Sequence, residues 1–300
     1  MGSIVLAVAV PAALACALPA AAEEERQEEA LSETAARYFC AYKPSYFVLG
    51  VAERDRSNPT TKFQFSFQAM LLDLSKADDR VLDSCAKPSG RHAVHIAYTQ
   101  KSVWNLYAES APFEENNYNP EILYQYHVER FGIGWATLGI EHESNGEGGD
   151  DSRSWNRLYG RARWNVEFSD GIRVLPGRPE NRDHWYAAFE AKLWWPFDKD
   201  DENVSLTKYI GYGKLRGVLR SREHAWGSVA FDAEVTKGGN PIEFDYASVQ
   251  LGASYRQPRL FGRVKLVPFF YLQYFEGYGE TLIRADEHTR ALRAGVRLIL

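Results

Sequence analysis

What the sequence lacks narrows the field before any motif is considered. Beyond the first two dozen of its 300 residues, no stretch approaches the ~20 consecutive apolar side chains that a membrane-spanning helix needs. A chain of this kind does not cross a bilayer with helices. Basic residues do not outnumber acidic ones (35 Lys and Arg against 40 Asp and Glu, net charge −5), which gives no signal of nucleic-acid binding. Cysteine is scarce, with three in all. Lys and Arg are missing altogether from the start of the chain, ahead of its one long apolar run.

That run, Ile4 to Ala21, consists almost entirely of small and apolar side chains, and Ala20-Ala21-Ala22 before Glu23 fits an A-x-A cleavage site. Residues 1–22 are expected to be a signal peptide, with only the amino terminus supplying positive charge. Lipoprotein processing at Cys16 is a rival reading, since Ala13-Leu14-Ala15-Cys16 is a poor lipobox. Residues 23–40 are expected to be an N-terminal periplasmic segment, and 41–300 one large β domain. Removing the leader would leave Cys40 and Cys85. An even count in an exported chain suggests a disulfide between them, with two free thiols as the alternative. Mass measurement with and without reductant separates the two.

From about residue 41 the chain alternates with period two, the mark of a strand with unlike faces. Phe63, Phe65, Phe67, Ala69 and Leu71 oppose Lys62, Gln64, Ser66 and Gln68. Leu158, Gly160, Ala162, Trp164, Val166 and Phe168 oppose Arg157, Arg161, Arg163, Asn165 and Glu167. A soluble sandwich also alternates, but here many segments are long and charged along one face. Together with 8 Trp, 17 Tyr and 16 Phe, this predicts a transmembrane β-barrel whose charges line the inside. Roughly twelve segments are expected: 41–52, 62–73, 92–107, 121–130, 133–144, 154–168, 182–195, 208–219, 223–236, 244–257, 260–275 and 288–300. Tight connections alternate with longer polar ones, as short periplasmic turns and longer outside loops would. The fold class is all-β, a twelve-stranded antiparallel transmembrane barrel.

The stretch richest in chemistry runs from Gly139 to Gly146 and again from Asp151 to Tyr159. His142 and Ser144 share a strand face, with Cα atoms roughly 6.7 Å apart. Asn156 opens the following strand. The parity of all three continues through apolar residues (Leu138, Ile140, Leu158), so a hairpin would place them on the lipid-facing side near the outer rim. Unpaired polar groups there cost free energy, which suits an enzyme whose substrate is the lipid itself. A serine hydroxyl needs a neighbouring base, His titrates near neutral pH, and the imidazole needs a third group to orient it. Asn156 can accept that hydrogen bond through its amide oxygen. A neutral third member stabilises the imidazolium weakly, so a bound calcium is expected to help. The loop Glu147, Asp150, Asp151, Ser152 carries hard oxygen donors for it. The bland readings are that a His-x-Ser on a strand is incidental and that an acidic loop is merely solvated.

His142-x-Ser144-Asn145-Gly146 followed by Ser152-Arg-Ser-Trp-Asn156-Arg-Leu-Tyr159 resembles, with the same internal spacing, the active-site signature of the outer membrane phospholipase A family. Tyr98-Thr-Gln-Lys-Ser102, Pro112-Phe113, Asn117-Tyr-x-Pro120, Thr207-Lys-Tyr-x-Gly-Tyr212, Gly277-Tyr-Gly-Glu280 and Leu282-Ile283 agree with it too, over about 41–300. The resemblance implies a twelve-stranded outer-membrane barrel with its active site at the cell-surface side. Such a barrel hydrolyses acyl esters of phospholipids and lysophospholipids (phospholipase A1 and A2 activity) and is activated by homodimerisation with Ca2+. It implies Ser144 as nucleophile, His142 as base, Asn156 as its orienting residue and the Gly146 amide in the oxyanion hole. The Ser152 hydroxyl and Glu147 carbonyl would bind calcium, with the carbonyl of Ser110 coming from the partner protomer, and Gln100 would lie in the dimer interface. The Cys40/Cys85 pair, the long 73–91 and 169–181 connections and the terminal Leu300 depart from the family pattern. The rival readings are a non-catalytic porin-like or structural barrel and a soluble secreted serine hydrolase.

Overall fold

The computed structural model describes residues 39–53, 55–74, 92–128, 133–169, 171–175, 183–197, 206–239, 245–257 and 268–298. The expected leader, Cys16, most of the 23–40 segment and Cys85 lie outside them. The strands are β1 (Phe39–Ala41), β2 (Ser45–Ala52), β3 (Asp55–Asp73), β4 (His92–Trp104), β5 (Phe113–His127), β6 (Trp135–Ser144) and β7 (Ser154–Phe168). They continue with β8 (Ile172–Leu175), β9 (Trp185–Phe197), β10 (Gly213–Arg220), β11 (Ser228–Lys237), β12 (Ala247–Arg256), β13 (Phe269–Gly277) and β14 (Thr289–Leu298). All belong to one antiparallel sheet, and β14 returns to pair with β2 from Ala291↔Ala52 to Leu298↔Ser45. The sheet is closed. Twelve strands form the wall, as the alternation predicts, and closure leaves no unpaired edge in hydrocarbon. The two short extras fill gaps at one rim. β1 pairs with β3 beyond the start of β2, and β8 pairs with the end of β7 where β6 has not yet begun.

Several boundaries differ from the sequence reading for one reason. β5 begins at Phe113, not 121, and β3 at Asp55, not 62. Over Glu114 to Pro120 and Asp55 to Thr61 both strand faces are polar, so a hydrophobic period is absent although the backbone is extended. The segment expected as strand from 208 instead opens with a short helix, Leu206–Tyr209, before β10. Phe39 to Ala41, where the expected 23–40 segment meets the barrel, form a short strand. Cys40, within β1, is disulfide-bonded.

The wall is apolar outside and polar inside. Ile122, Leu138, Ile140, Leu158, Leu193, Phe231, Leu272 and Leu292 are exposed, while Lys62, Glu121, Glu141, Arg157, Lys192, Asp232, Arg293 and Arg297 are buried. Buried charges need partners, and the lumen supplies them. Lys192 Nζ lies 2.7 Å from Glu141 Oε1, Lys62 Nζ 3.0 Å from Glu280 Oε1, and Arg297 pairs with Asp232. Near the loop end the filling becomes apolar, with Trp155, Tyr159, Trp194, Leu206, Leu282 and Ala285 in one cluster. Leu282 and Ile283 are held there by donating their N–H groups to the Glu115 carboxylate at 2.7 and 3.1 Å.

Candidate active site

The β6–β7 register pairs Glu141 with Arg157, His142 with Asn156 and Ser144 with Ser154. Because successive strand residues face opposite ways, the burial of Glu141 and Arg157 in the lumen fixes His142 and Asn156 on the outside. Ser144, two residues on, faces outward as well. His142 Nδ1 lies 2.9 Å from Asn156 Oδ1. An amide oxygen only accepts, so this contact makes Nδ1 the protonated nitrogen and leaves Nε2 with its lone pair. All three side chains are half-buried beside exposed Leu138, Ile140 and Leu158. They sit at the end of the barrel opposite the one where β2 enters and β14 leaves. His142 and Asn156 are thus in contact, and Ser144 lies two residues along β6 on the same outer face that parity predicts.

The loop between the two strands is organised by Asn145, which the sequence reading did not single out. Its Oδ1 accepts from Glu147 N at 3.2 Å and Arg153 N at 2.9 Å, and its Nδ2 donates to the Asp151 carbonyl at 2.8 Å. Gly146 adopts φ 73°, a left-handed conformation that disfavours side chains. A Cβ there would also come within 2.8 Å of the Tyr118 ring, and Tyr118 is the cross-strand partner of Ser144. Tyr118 thus forms a wall of the site, a role its place in Asn117-Tyr-x-Pro120 only hinted at.

Most carbonyls of this loop already have donors. Arg153 Nη1 takes those of Asp150 and Ser152 at 2.7 and 2.8 Å, and Ser152 N takes that of Gly149 at 2.9 Å. Among the described residues the Glu147 carbonyl and the Ser152 hydroxyl have no protein partner, and Glu147 is exposed. Two uncommitted hard oxygens beside three acidic side chains (Glu147, Asp150, Asp151) fit a calcium ion. No group of three or more His, Cys, Asp or Glu suited to a metal occurs among the described residues, so a cation here would rely on carbonyl and hydroxyl oxygens. Ser110 lies apart, exposed in the β4–β5 loop, where it and Ala111 take φ 60° and 41°. Gln100 faces outward on β4. It accepts from Tyr98 Oη at 3.1 Å and donates to Ser102 Oγ at 3.3 Å, and Ser102 donates in turn to Asn116 Oδ1 at 2.7 Å.

A closed twelve-stranded barrel with an apolar exterior, interrupted by an outward serine, histidine and asparagine, defines a membrane β-barrel. The family model for phospholipase A1 matches residues 25–298, and the chain belongs to that family. The phospholipase A1 of Escherichia coli K12 is 33% identical over 210 residues, covering 68% of this chain and 61% of the relative. A putative phospholipase A1 of Neisseria meningitidis serogroup B is 29% identical over 247 residues, covering 79% of this chain and 53% of the relative. The chain thus matches about three-fifths, or somewhat over half, of the length of these relatives. Among solved structures, outer membrane phospholipase A from E. coli superposes with a TM-score of 0.64 at 26% identity, covering 86% of this chain and 91% of that one. The Salmonella typhi outer membrane phospholipase, a dimer with bound calcium, gives 0.64 at 25% identity over 87% and 92%.

Proposed function

We propose that the protein is an outer-membrane phospholipase cleaving acyl esters of glycerophospholipids and lysophospholipids, with Ser144, His142 and Asn156 as its catalytic residues. The observation that carries this reading is the 2.9 Å His142–Asn156 contact on the lipid-facing side of the barrel, two residues from a serine. Ser144 Oγ attacks the acyl carbonyl carbon while His142 Nε2 takes its proton. The Gly146 N–H donates to the developing oxyanion. His142 then returns the proton to the departing lysophospholipid oxygen, and water, activated by the same imidazole, releases the fatty acid from the acyl-serine. Asn156 holds the imidazole in the tautomer these steps need. Both the A1 and the A2 position remain within the reading.

The Glu147 carbonyl and Ser152 hydroxyl would hold calcium, with the Ser110 carbonyl contributed by a second copy in a homodimer that meets across the Gln100 face. The dimeric, calcium-bound Salmonella relative supports this part. When bound, the ion supplies positive charge near the oxyanion. With the first and last barrel strands, β2 and β14, meeting at the periplasmic end, as the resemblance to outer-membrane barrels implies, the site would face the cell surface. Cys85 is the proposed partner of Cys40. Fatty-acid release from mixed phospholipid–detergent micelles, compared with calcium and with a chelator, tests the proposal. Release that requires calcium is expected, and no release in either condition would favour a porin-like barrel.

A further inference from the structure

The lumen side of the β6–β7 hairpin carries a buried polar cluster that the reaction above does not use. Its placement is set by register. Glu141 and Glu143 flank His142, Arg157 and Trp155 flank Asn156, and the pairs Glu141↔Arg157 and Glu143↔Trp155 bracket His142↔Asn156 on either side. Arg157 Nε lies 3.0 Å from Glu141 Oε1, and Arg157 Nη2 donates to Glu143 Oε2 at 2.6 Å. Trp155 Nε1 donates to the same oxygen at 3.2 Å. The guanidinium lies against the Trp155 ring, 4.2 Å from its centroid, with Trp194 5.5 Å away. Arg157 therefore ties the residues on both sides of His142 to the residue after Asn156.

A second tie comes from β5. Tyr118 pairs with Ser144 and Glu121 with Glu141, which puts Pro120 opposite His142. Proline has no N–H for the ladder, and the β5–β6 pairing lapses at Asn119 and Pro120. The carbonyl of His142 is taken instead by Asn119 Nδ2 at 2.8 Å, and Asn119 Oδ1 accepts from Lys43 Nζ at 2.8 Å. The backbone of His142 is thus fixed on the side where its ladder bond is missing.

We propose that Arg157 and Asn119 are positioning residues, holding from inside the barrel the two backbones whose outward side chains are His142 and Asn156. This rests on the reading of Ser144, His142 and Asn156 given above. An imidazole displaced by about 1 Å loses on the order of a hundredfold in rate without any loss of substrate contacts. The cluster therefore acts on turnover rather than on binding.

The test uses the full chain, purified in detergent with calcium, and three variants: the double Arg157→Met/Glu143→Leu, which removes both charges of one pair together, Asn119→Ala, and the conservative Arg157→Lys. Heat-modifiable gel migration reports the folded barrel. Two rates are read: kcat and KM for fatty-acid release, and the labelling of Ser144 by an alkyl fluorophosphonate. Folded barrels with KM within about twofold of the parent, and with kcat and labelling lowered together by about ten- to a hundredfold, are expected for the double variant and Asn119→Ala. Arg157→Lys should fall in between, because it keeps the charge and loses the fork. Unchanged kcat and labelling in folded variants would overturn the proposal, as would loss of the barrel in all three, which makes the role structural. If the parent protein fails to label at Ser144, the site reading itself falls. That result is distinct from normal parental labelling that the variants leave unaltered.

Discussion

The wall formed by β4 to β7 and the wall formed by β11 to β14 solve the same problem differently. On the second, the outward residues between the rims are apolar: Phe231, Leu251, Phe270, Leu272, Leu292 and Val296 are all exposed. On the first, Ile122, Leu138, Ile140 and Leu158 begin in the same way. Toward the loop end the outer row then turns polar, with Gln100, Ser102, Asn116, His142, Ser144 and Asn156. Both lumen faces carry buried, paired charge, the first more than the second. The outer faces differ in kind, and a barrel needs no polar outer row for stability. A wall that carries one has been built around a ligand or a partner.

The sharpest way to break this comparison is Ser144→Ala. On the proposed reading this variant should lose hydrolysis by about three orders of magnitude or more, measured as fatty-acid release from micelles, while heat-modifiable migration stays that of the parent. Activity that persists would leave the outer polar row unexplained by chemistry. The complementary substitution belongs on the other wall. Leu272→Arg, near the middle of β13, should destabilise the barrel by about 2–4 kcal/mol in urea unfolding from lipid vesicles, whereas Leu215→Ser close to the start of β10 should cost far less. If arginine is tolerated at 272, polar groups on the outer face are cheap and the contrast between the walls loses its meaning.

How much of this contrast could be read from the sequence depends on which physical signal each part leaves. The wall itself was legible, because lipid on one side and paired charge on the other impose a period of two through β7, β9 and β14. The outward placement of His142, Ser144 and Asn156 was legible through parity, since they continue apolar rows. The start of β5 was not, because Glu114 to Pro120 are polar on both faces and carry no hydrophobic period. Nor was the helix at Leu206, whose buried side chains pack on a tryptophan contributed by a strand about fifty residues earlier in the chain. The backbone contacts of Asn145 and Asn119 were not legible for another reason. Each satisfies backbone groups of a particular turn or a particular proline-interrupted ladder, and such partners exist only once the register is known.

Within the polar wall the members should not weigh equally. Asn156→Ala removes one neutral hydrogen bond from His142, a loss of about 1–1.5 kcal/mol and hence about tenfold in kcat. KM should hold, because Asn156 touches the base rather than the lipid. A drop as large as that of Ser144→Ala would mean that Asn156 does more than orient the ring. No drop would mean that the 2.9 Å contact is incidental to the chemistry.

The last effect concerns the lumen, where both walls carry buried charge, and so it tests how far the outer contrast depends on the inside. Glu280, in the loop after β13, is buried against Lys62 and Arg293, with Arg293 Nη1 at 2.6 Å. Burial pushes its carboxyl up, but the two cations outweigh that and hold it at about 2. Since this lies below the ~4.3 of a free glutamate, the carboxylate contributes stability that is complete above pH ~4.3 and fades as pH falls toward 2. Glu280→Gln should therefore lower the unfolding free energy at pH 6 by about 1–3 kcal/mol, and the gap from the parent should narrow on acidification to pH 2. A gap independent of pH would mean that the side chain acts by shape alone. Because Glu280 also anchors the loop whose Leu282 packs on Trp155, a change in kcat larger than the change in stability would instead show that the lumen reaches the outer face.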